Sequence, residues 1–219
     1  MKKYLVIGNP IEHSLSPELH NYWIKTNMIR ATYGKMKITN DQIKNLILEI
    51  KSGKISGLNI TVPFKQEVIP HLDDLSEEAK KTQSVTTILL KDDKAIGHNT
   101  DIEGFEYSIK FNKIDLKNKN VFIVGAGGVV PSIIYALNRM QVSNITISNR
   151  TKDKAENLKN LFEKVKVIDW GEIPEFDMII NATSIGLSNQ EKINLNLPKV
   201  ENKLFYDVIY NPKETNFLK

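Results

Sequence analysis

Cysteine is absent from the 219 residues, which excludes disulfides, thiolate nucleophiles and any zinc site with cysteine ligands. Arginine is nearly absent: Arg30, Arg139 and Arg150 are the only three, and the net charge of +4 comes almost wholly from lysine. No run of 18 or more apolar residues occurs, so an ordinary membrane-spanning helix is not expected. The chain opens directly into the strand-like Tyr4-Leu5-Val6-Ile7, so a secretory leader is not expected. These gaps suit a cytoplasmic protein with no membrane partner. The lysines are scattered and few are interleaved with aromatics, which argues against nucleic acid. The histidines His13, His20, His71 and His98 show no metal-ligand spacing, and no metal is expected. A mildly basic surface favours a small anionic substrate.

What is present alternates between strand-like and helix-like stretches. Tyr4–Gly8, Thr32–Lys37 and Gly57–Val62 read as strands, with helices from Pro17 to about Thr26 and from Asp41 to about Lys51 between them. Val85–Leu90 and Ala95–His98 read as a hairpin around Lys91-Asp92-Asp93-Lys94. A second unit begins near Asp101 with an opening helix. It continues through strands at Val121–Val124, Ile145–Ser148, Val165–Ile168, Met178–Asn181 and Leu204–Val208, and helices at Val130–Met140 and Lys152–Phe162. Strand–helix alternation of this kind predicts an α/β protein: an N-terminal α/β domain over 1–101, then a Rossmann-like dinucleotide-binding domain over 102–219.

Five segments carry the chemistry. Val124-Gly125-Ala126-Gly127-Gly128-Val129 is a strand running into a glycine turn before a helix. Gly125 permits the tight turn, Gly127 admits a pyrophosphate close to the backbone, and the helix N-terminus offers free amides. Val130 stands where a third glycine is usual, and Pro131 suits the helix's first turn. After the next strand comes Ser148-Asn149-Arg150-Thr151, with Lys154 one turn on and no acid at the strand end. A cation there selects a ribose 2′-phosphate, so NADP(H) is the expected cofactor, bound by Asn149, Arg150, Thr151 and Lys154. The alternative for Thr151 is a plain helix N-cap.

Ahead of the nucleotide fold, Lys65 follows Ile60-Thr61-Val62-Pro63-Phe64, and Asp101 closes Asn99-Thr100-Asp101. A lysine and a carboxylate at strand ends are suited to exchange a proton with a substrate hydroxyl. Asp101 also reads as an N-cap for a helix starting at Ile102. Ser14 and Ser16 flank a helix start, where two hydroxyls suit a carboxylate; Ser16 before Pro17 is also a capping signal. Acid–base groups beside a dinucleotide fold imply hydride transfer to or from an alcohol or ketone.

Taken in order, the motifs resemble the shikimate/quinate dehydrogenase family along essentially the whole chain. The matching pieces are Gly8-Asn9-Pro10 with Ser14-Leu15-Ser16-Pro17, Asn59-Ile60-Thr61-Val62-Pro63-Phe64-Lys65, Asn99-Thr100-Asp101 and Gly125-Ala126-Gly127-Gly128. Asn149-Arg150-Thr151, Asn181-Ala182-Thr183-Ser184-Ile185-Gly186 and Asp207-Val208-Ile209-Tyr210-Asn211-Pro212 complete the set. The resemblance implies a substrate domain, an NADP domain and a cleft between them, and NADPH-linked interconversion of 3-dehydroshikimate and shikimate in aromatic amino-acid biosynthesis. It assigns Ser14 and Ser16 to the substrate carboxylate, Thr61, Lys65 and Asp101 to the ring hydroxyls, and proton transfer to Lys65 and Asp101. Asn59 supports that shell, Tyr210 closes over the substrate, Thr183 and Ser184 join the cofactor site, and Glu77 and Val208 border the nicotinamide. A monomer or homodimer is expected.

Two departures stand out. The family's Ala-Val-Asn-Thr is Ser84-Val85-Thr86-Thr87 here, so a substrate-binding asparagine becomes Thr86. Losing its direct bond would cost about 0.5–1.5 kcal/mol. Family members also continue past this endpoint through a glycine-containing segment and a glutamine-bearing helix, so the usual C-terminal helices are expected to be missing. Two other functions stand beside the leading one: a quinate/shikimate dehydrogenase, and a catalytically weak ligand-binding homologue.

Overall fold

The computed structural model describes residues 1–187, 193, 195, 197 and 200–219. The chain divides into two units, Met1–Asp101 and Ile102–Lys219. In the first, β1 (Lys2–Gly8), β2 (Ala31–Lys37), β3 (Gly57–Ile60), β4 (Asp74–Leu75), β5 (Thr87–Lys91) and β6 (Lys94–His98) form one sheet in the order β2-β1-β3-β5-β6-β4. The pairs β2/β1, β1/β3 and β4/β6 are parallel, while β3/β5 and β5/β6 are antiparallel. Helices α1 (Ser16–Thr26), α2 (Ile43–Lys51) and α3 (Glu77–Thr82) complete the unit.

Alternation along β1 sorts its side chains between two packing layers. Leu5 and Ile7 join Leu58 and Ile60 of β3 in the core beneath α2, which buries Ile43, Leu46, Ile47 and Ile50. Each such side chain contributes roughly 1.5–3 kcal/mol. Val6 faces the other way, with Ile11, Tyr33 and the partly buried Ile24 of α1. No residue of α1 is fully buried. It is tied instead by Asn21, whose amide Nδ2 donates to the Tyr33 carbonyl at 2.7 Å and whose Oδ1 accepts the Tyr33 N–H at 3.0 Å. The side chain thus satisfies the backbone of edge strand β2.

The second unit opens with α4 (Asp101–Phe111), which begins at the last residue of the first. Strands β7 (Asn120–Val124), β8 (Asn144–Ser148), β9 (Val165–Ile168), β10 (Met178–Asn181) and β11 (Leu204–Asp207) alternate with α5 (Val130–Arg139) and α6 (Lys152–Glu156). The sheet is wholly parallel, in the order β11-β10-β7-β8-β9. Val121, Phe122, Ile123 and Val124 are buried, as are Met178, Ile179 and Ile180, because a parallel sheet is covered on both faces. One cover is α5 with Ile133, Ile134 and Leu137; the other includes Phe176, Phe205 and Phe217. Chain order reverses between β7 and β10, the switch point where doubly wound folds bind their ligands.

Most expected elements are present, with four differences. The strand expected to reach Val62 stops at Ile60, because Thr61–Phe64 turns, closed by the Phe64 N–H on the Thr61 carbonyl at 3.0 Å. The helix expected over Lys152–Phe162 shortens to α6 and tightens into a 3₁₀ turn over Asn157–Asn160. β4 and α3 were not anticipated; Ser76 starts α3 by accepting the Ala79 N–H at 3.2 Å. The hairpin turn places Asp92 and Asp93 at positive φ, as the reversal between β5 and β6 requires. Among the described residues, no helix is long and apolar enough to cross a membrane, and no group of three potential metal ligands occurs.

Candidate active site

Sheet register brings the first unit's polar motifs to one end of the sheet. Ile7 pairs with Ile60, Asn59 with Thr87, and Thr87 with His98. The C-terminal ends of β1, β3 and β6 therefore meet the start of β5, where Gly8, Thr61, Thr86 and Asn99 stand. Backbone bonds extend this row: the Ile60 N–H donates to the Thr86 carbonyl and the Thr86 N–H to the His98 carbonyl, both at 2.8 Å.

Lys65 follows the Thr61–Phe64 turn, and its carbonyl accepts the Val85 N–H at 2.8 Å, which fixes its backbone. Its Nζ donates to Asp101 Oδ2 at 2.5 Å. The lysine side chain is only 11% exposed and the aspartate 28%, so the ammonium lies against the protein while the carboxylate opens outward. An ammonium has three donors, and Asp101 uses one. Asn99 orients the carboxylate's backbone: its Oδ1 accepts the Asp101 N–H at 3.0 Å, and its Nδ2 donates to Thr82 Oγ1 at 3.0 Å and the Ser84 carbonyl at 3.1 Å.

The neighbouring polar residues fall into two groups. Asn59 is fully engaged: Oδ1 accepts the Tyr33 hydroxyl at 2.6 Å, and Nδ2 donates to Thr87 Oγ1 at 2.9 Å and the Thr86 carbonyl at 3.3 Å. Burial drives the Tyr33 phenol well above its ordinary value, so it stays protonated as the donor. Thr86 is engaged as well. Its Oγ1 accepts the Thr100 N–H at 2.7 Å and lies 2.8 Å from the Thr100 hydroxyl. The threonine that replaces the family's asparagine therefore braces the Thr100–Asp101 segment. By contrast, the hydroxyls of Thr61 and Ser16 have no hydrogen-bond partner among the described residues. Capping reverses the sequence expectation: Ser14 Oγ accepts the Ser16 N–H at 3.3 Å, and the N-cap position of α1 is Leu15. Glu77, at the exposed start of α3, lies 3.9 Å from Lys80.

In the second unit the glycine turn sits where the topology places it. Gly125, at φ +111°, follows β7, and its N–H donates to the Ser148 carbonyl at 2.8 Å. A Cβ on Gly125 would stand 2.8 Å from the carbonyl carbon and oxygen of Ala182 after β10. A Cβ on Gly127 would meet only the Ala182 oxygen, at 3.7 Å, leaving an exposed backbone for a ligand to approach. Ala126 and Val129 pack partly on the core, and Gly128 lies between them. Val129 is the N-cap position of α5, and Pro131 lies in its first turn as expected.

Beyond β8, Asn149 Nδ2 donates to the Thr151 carbonyl at 2.7 Å and shapes the turn. Thr151 occupies the N-cap position of α6 without a side-chain capping bond. Lys152 is spent on Asp169 at 2.6 Å, which holds its ammonium above the ordinary lysine value. Arg150 and Lys154 are exposed and have no ion-pair partner among the described residues. Open backbone at the end of β7 and two unengaged cations past β8 fit a pyrophosphate and a ribose phosphate.

Sequence reasoning gave no role to the polar pair that ends β10 and β11. Asp207 accepts both oxygens' bonds from Asn181 Nδ2 at 3.1 Å, the Ile209 N–H at 2.9 Å and the Thr215 hydroxyl at 2.6 Å. Asn181 Oδ1 in turn accepts the Thr183 N–H at 3.0 Å and hydroxyl at 2.8 Å. This knot holds Thr183, the exposed Ser184, and Val208, whose N–H donates to the Asn181 carbonyl at 3.1 Å. The available signal was a single polar residue ending each of two apolar strands, Met178-Ile179-Ile180-Asn181 and Leu204-Phe205-Tyr206-Asp207. Tyr210 lies exposed shortly after β11.

A doubly wound parallel sheet with an open glycine turn, following a mixed-sheet unit that carries a lysine–carboxylate pair, defines a dinucleotide-linked oxidoreductase. The comparisons make this particular. Residues 6–88 match the shikimate dehydrogenase substrate binding domain, and residues 108–214 the shikimate / quinate 5-dehydrogenase family. The chain is 58% identical over 219 residues to the shikimate dehydrogenase (NADP(+)) of Pelagibacter ubique, covering all of this chain and 83% of that one. The crystal structure of shikimate dehydrogenase from Aquifex aeolicus superposes with a TM-score of 0.91 at 36% identity, over 100% of this chain and 82% of that one. The Thermus thermophilus enzyme in complex with NADP(H) and shikimate gives 0.86 at 28%, with 100% and 82% covered. The chain belongs to the shikimate dehydrogenase family.

Proposed function

We propose that this chain is an NADP-dependent shikimate dehydrogenase, reducing 3-dehydroshikimate to shikimate reversibly. The observation that carries this reading is the 2.5 Å pair of Lys65 Nζ and Asp101 Oδ2 at the strand ends of the first unit. NADPH, when bound, supplies the hydride that reduces the substrate carbonyl. Lys65 gives a proton from Nζ to the oxygen as it becomes a hydroxyl, and takes one back in the oxidative direction. Asp101 holds that ammonium in place and accepts a substrate hydroxyl on its exposed side. Proton transfer by a positioned group is typically worth about 10²–10⁴ in rate.

The surrounding residues bind and orient. The Thr61 hydroxyl contacts a ring hydroxyl, and Ser14 and Ser16 take the substrate carboxylate. Asn59 and Thr86 act from behind, Asn59 by fixing the row between β3 and β5, and Thr86 by bracing Thr100. In the second unit, Gly125, Gly127 and the start of α5 receive the pyrophosphate, and Arg150 with Lys154 reads the 2′-phosphate through charge-assisted bonds. Appearance of NADPH absorbance on mixing the purified chain with NADP⁺ and shikimate tests the reading. Turnover with shikimate exceeding that with quinate supports it. A folded chain that reduces no NADP⁺ with either acid would overturn it.

A further inference from the structure

We infer that Gly8 is a positioning residue for the substrate, acting through the side chain of Thr61; this rests on the assignment of Thr61 to a ring hydroxyl. The argument begins with register. Ile7 pairs with Ile60, so Gly8 lies opposite Thr61, just beyond the end of β3. The two backbones stay locked past that end, with the Thr61 N–H on the Ile7 carbonyl at 3.0 Å and the Asn9 N–H on the Val62 carbonyl at 2.9 Å. A Cβ built on Gly8 would stand 2.6 Å from the Thr61 methyl, nearer than any other heavy atom. The missing side chain of Gly8 is therefore a slot, and the Thr61 methyl fills it.

That slot determines where the Thr61 hydroxyl points. The hydroxyl has no hydrogen-bond partner among the described residues, so no bond orients it. A threonine's methyl and hydroxyl share one χ1, and seating the methyl selects one staggered well for both. Of the other two neighbours of the slot, Ile11 Cδ1 at 3.0 Å is the far end of a flexible chain, whereas the Val62 oxygen at 3.1 Å is backbone held by the Asn9 N–H and gives little. Thr61 is half-buried, and its backbone is fixed. Orientation of a substrate-binding hydroxyl by a methyl in a glycine slot is thus built into the end of β1.

Steady-state kinetics on four variants, with shikimate and NADP⁺ varied separately, test this. Gly8→Ala should raise the KM for shikimate roughly 3- to 10-fold, the value of one neutral hydrogen bond, and leave the KM for NADP⁺ unchanged. Thr61→Ser keeps the hydroxyl but empties the slot, and should raise the shikimate KM by up to about threefold as the three wells become accessible. In the Thr61→Ser background, Gly8→Ala should raise the shikimate KM clearly less than it does alone, the remainder coming from the fixed Val62 carbonyl. A wild-type shikimate KM in either single variant, or a Gly8→Ala effect that persists in full beside Thr61→Ser, would overturn the inference. Thr61→Val separates the underlying assignment: an unchanged shikimate KM there would remove Thr61 from the substrate, and the inference with it. A raised KM in Thr61→Val beside a wild-type Gly8→Ala would overturn the role of Gly8 alone. If Gly8→Ala does not fold, Thr61→Ser alone decides, since it empties the slot without touching the glycine.

Discussion

The first strand of each unit runs into a glycine, and the two glycines are needed for different reasons. Gly8, after β1, leaves room for a side chain, the Thr61 methyl. Gly125, after β7, adopts φ +111° and faces the Ala182 backbone. The polar groups around them differ in parallel. In the first unit Lys65 and Asp101 are bonded to each other. In the second, the inner knot of Asn181 and Asp207 is closed, while Arg150 and Lys154 stand outside it without ion-pair partners among the described residues. On the function proposed above, the unit that would handle a proton keeps donor and acceptor together, and the unit that would hold a polyanion keeps its cations free. The two ends of strands are alike in topology and opposite in electrostatic design.

The strongest way to break this contrast is Lys65→Ala. With the proton donor gone, kcat should fall by about 10²–10⁴, while NADPH affinity from fluorescence titration stays unchanged. Equal losses in both would show that the lysine serves the cofactor, and the division of labour would fail. Arg150→Ala tests the other side. Losing a charge-assisted contact worth about 1.5–3 kcal/mol should raise the KM for NADPH roughly 10- to 100-fold, with the KM for NADH little changed. An unaltered NADPH/NADH ratio would mean that another residue reads the phosphate.

Gly125→Ala sharpens the comparison of the two turns. A side chain at that φ costs about 1–3 kcal/mol, a fall in Tm of roughly 2–12 °C for a chain of this size. The obstacle is the Ala182 carbonyl group, so Ala182→Gly should not restore the loss. Recovery in the double variant would show that a side chain, not the backbone, fills the space. This is the reverse of the expectation at Gly8, where trimming the Thr61 side chain removes the closest contact and the larger part of the effect.

What was legible in the sequence follows the range of the forces involved. Val121–Val124 and Met178–Ile180 read as strands because burial on both faces leaves a continuous apolar run. The Asp92-Asp93 turn and the Pro131 helix start were legible because backbone geometry there depends on adjacent residues. β4 and α3 were missed because only Ala79 and Thr82 of α3 are buried, which leaves no periodic signal. Lys65 and Asp101 were readable as a proton-transfer pair from residue type and place at strand ends, and the family resemblance implied the same, but their contact depends on β3, β5 and β6 meeting at one end. The knot of Asn181 and Asp207 and the slot at Gly8 are products of register, and a linear pattern does not carry register. Capping at α1 turned on one rotamer: either serine fits the pattern, and Ser14 rather than Ser16 meets the backbone.

The smallest expected effect concerns His20 of α1, stacked on Tyr33 with ring centroids 4.1 Å apart and edge-on to Trp23 at 5.3 Å. Burial against these rings penalises the imidazolium and lowers the histidine's pKa from its ordinary value near 6.5. The sign follows from linkage. Above about pH 6.5 the ring is neutral in both folded and unfolded chains, and its contribution is fully present. As pH falls through that value the unfolded chain takes the proton first, and stability drains toward the folded pKa. Thermal unfolding between pH 7.5 and 5.5 should therefore show the wild type losing on the order of 1 °C more than His20→Gln, a small difference because the ring is partly solvated. Tyr33 also anchors Asn59 at 2.6 Å, so this titration reports on the wall behind the Thr61–Lys65 segment. A wild type that gained stability relative to His20→Gln on acidification would mean the imidazolium finds an acceptor, and the closed pairing assigned to the first unit would then extend to α1.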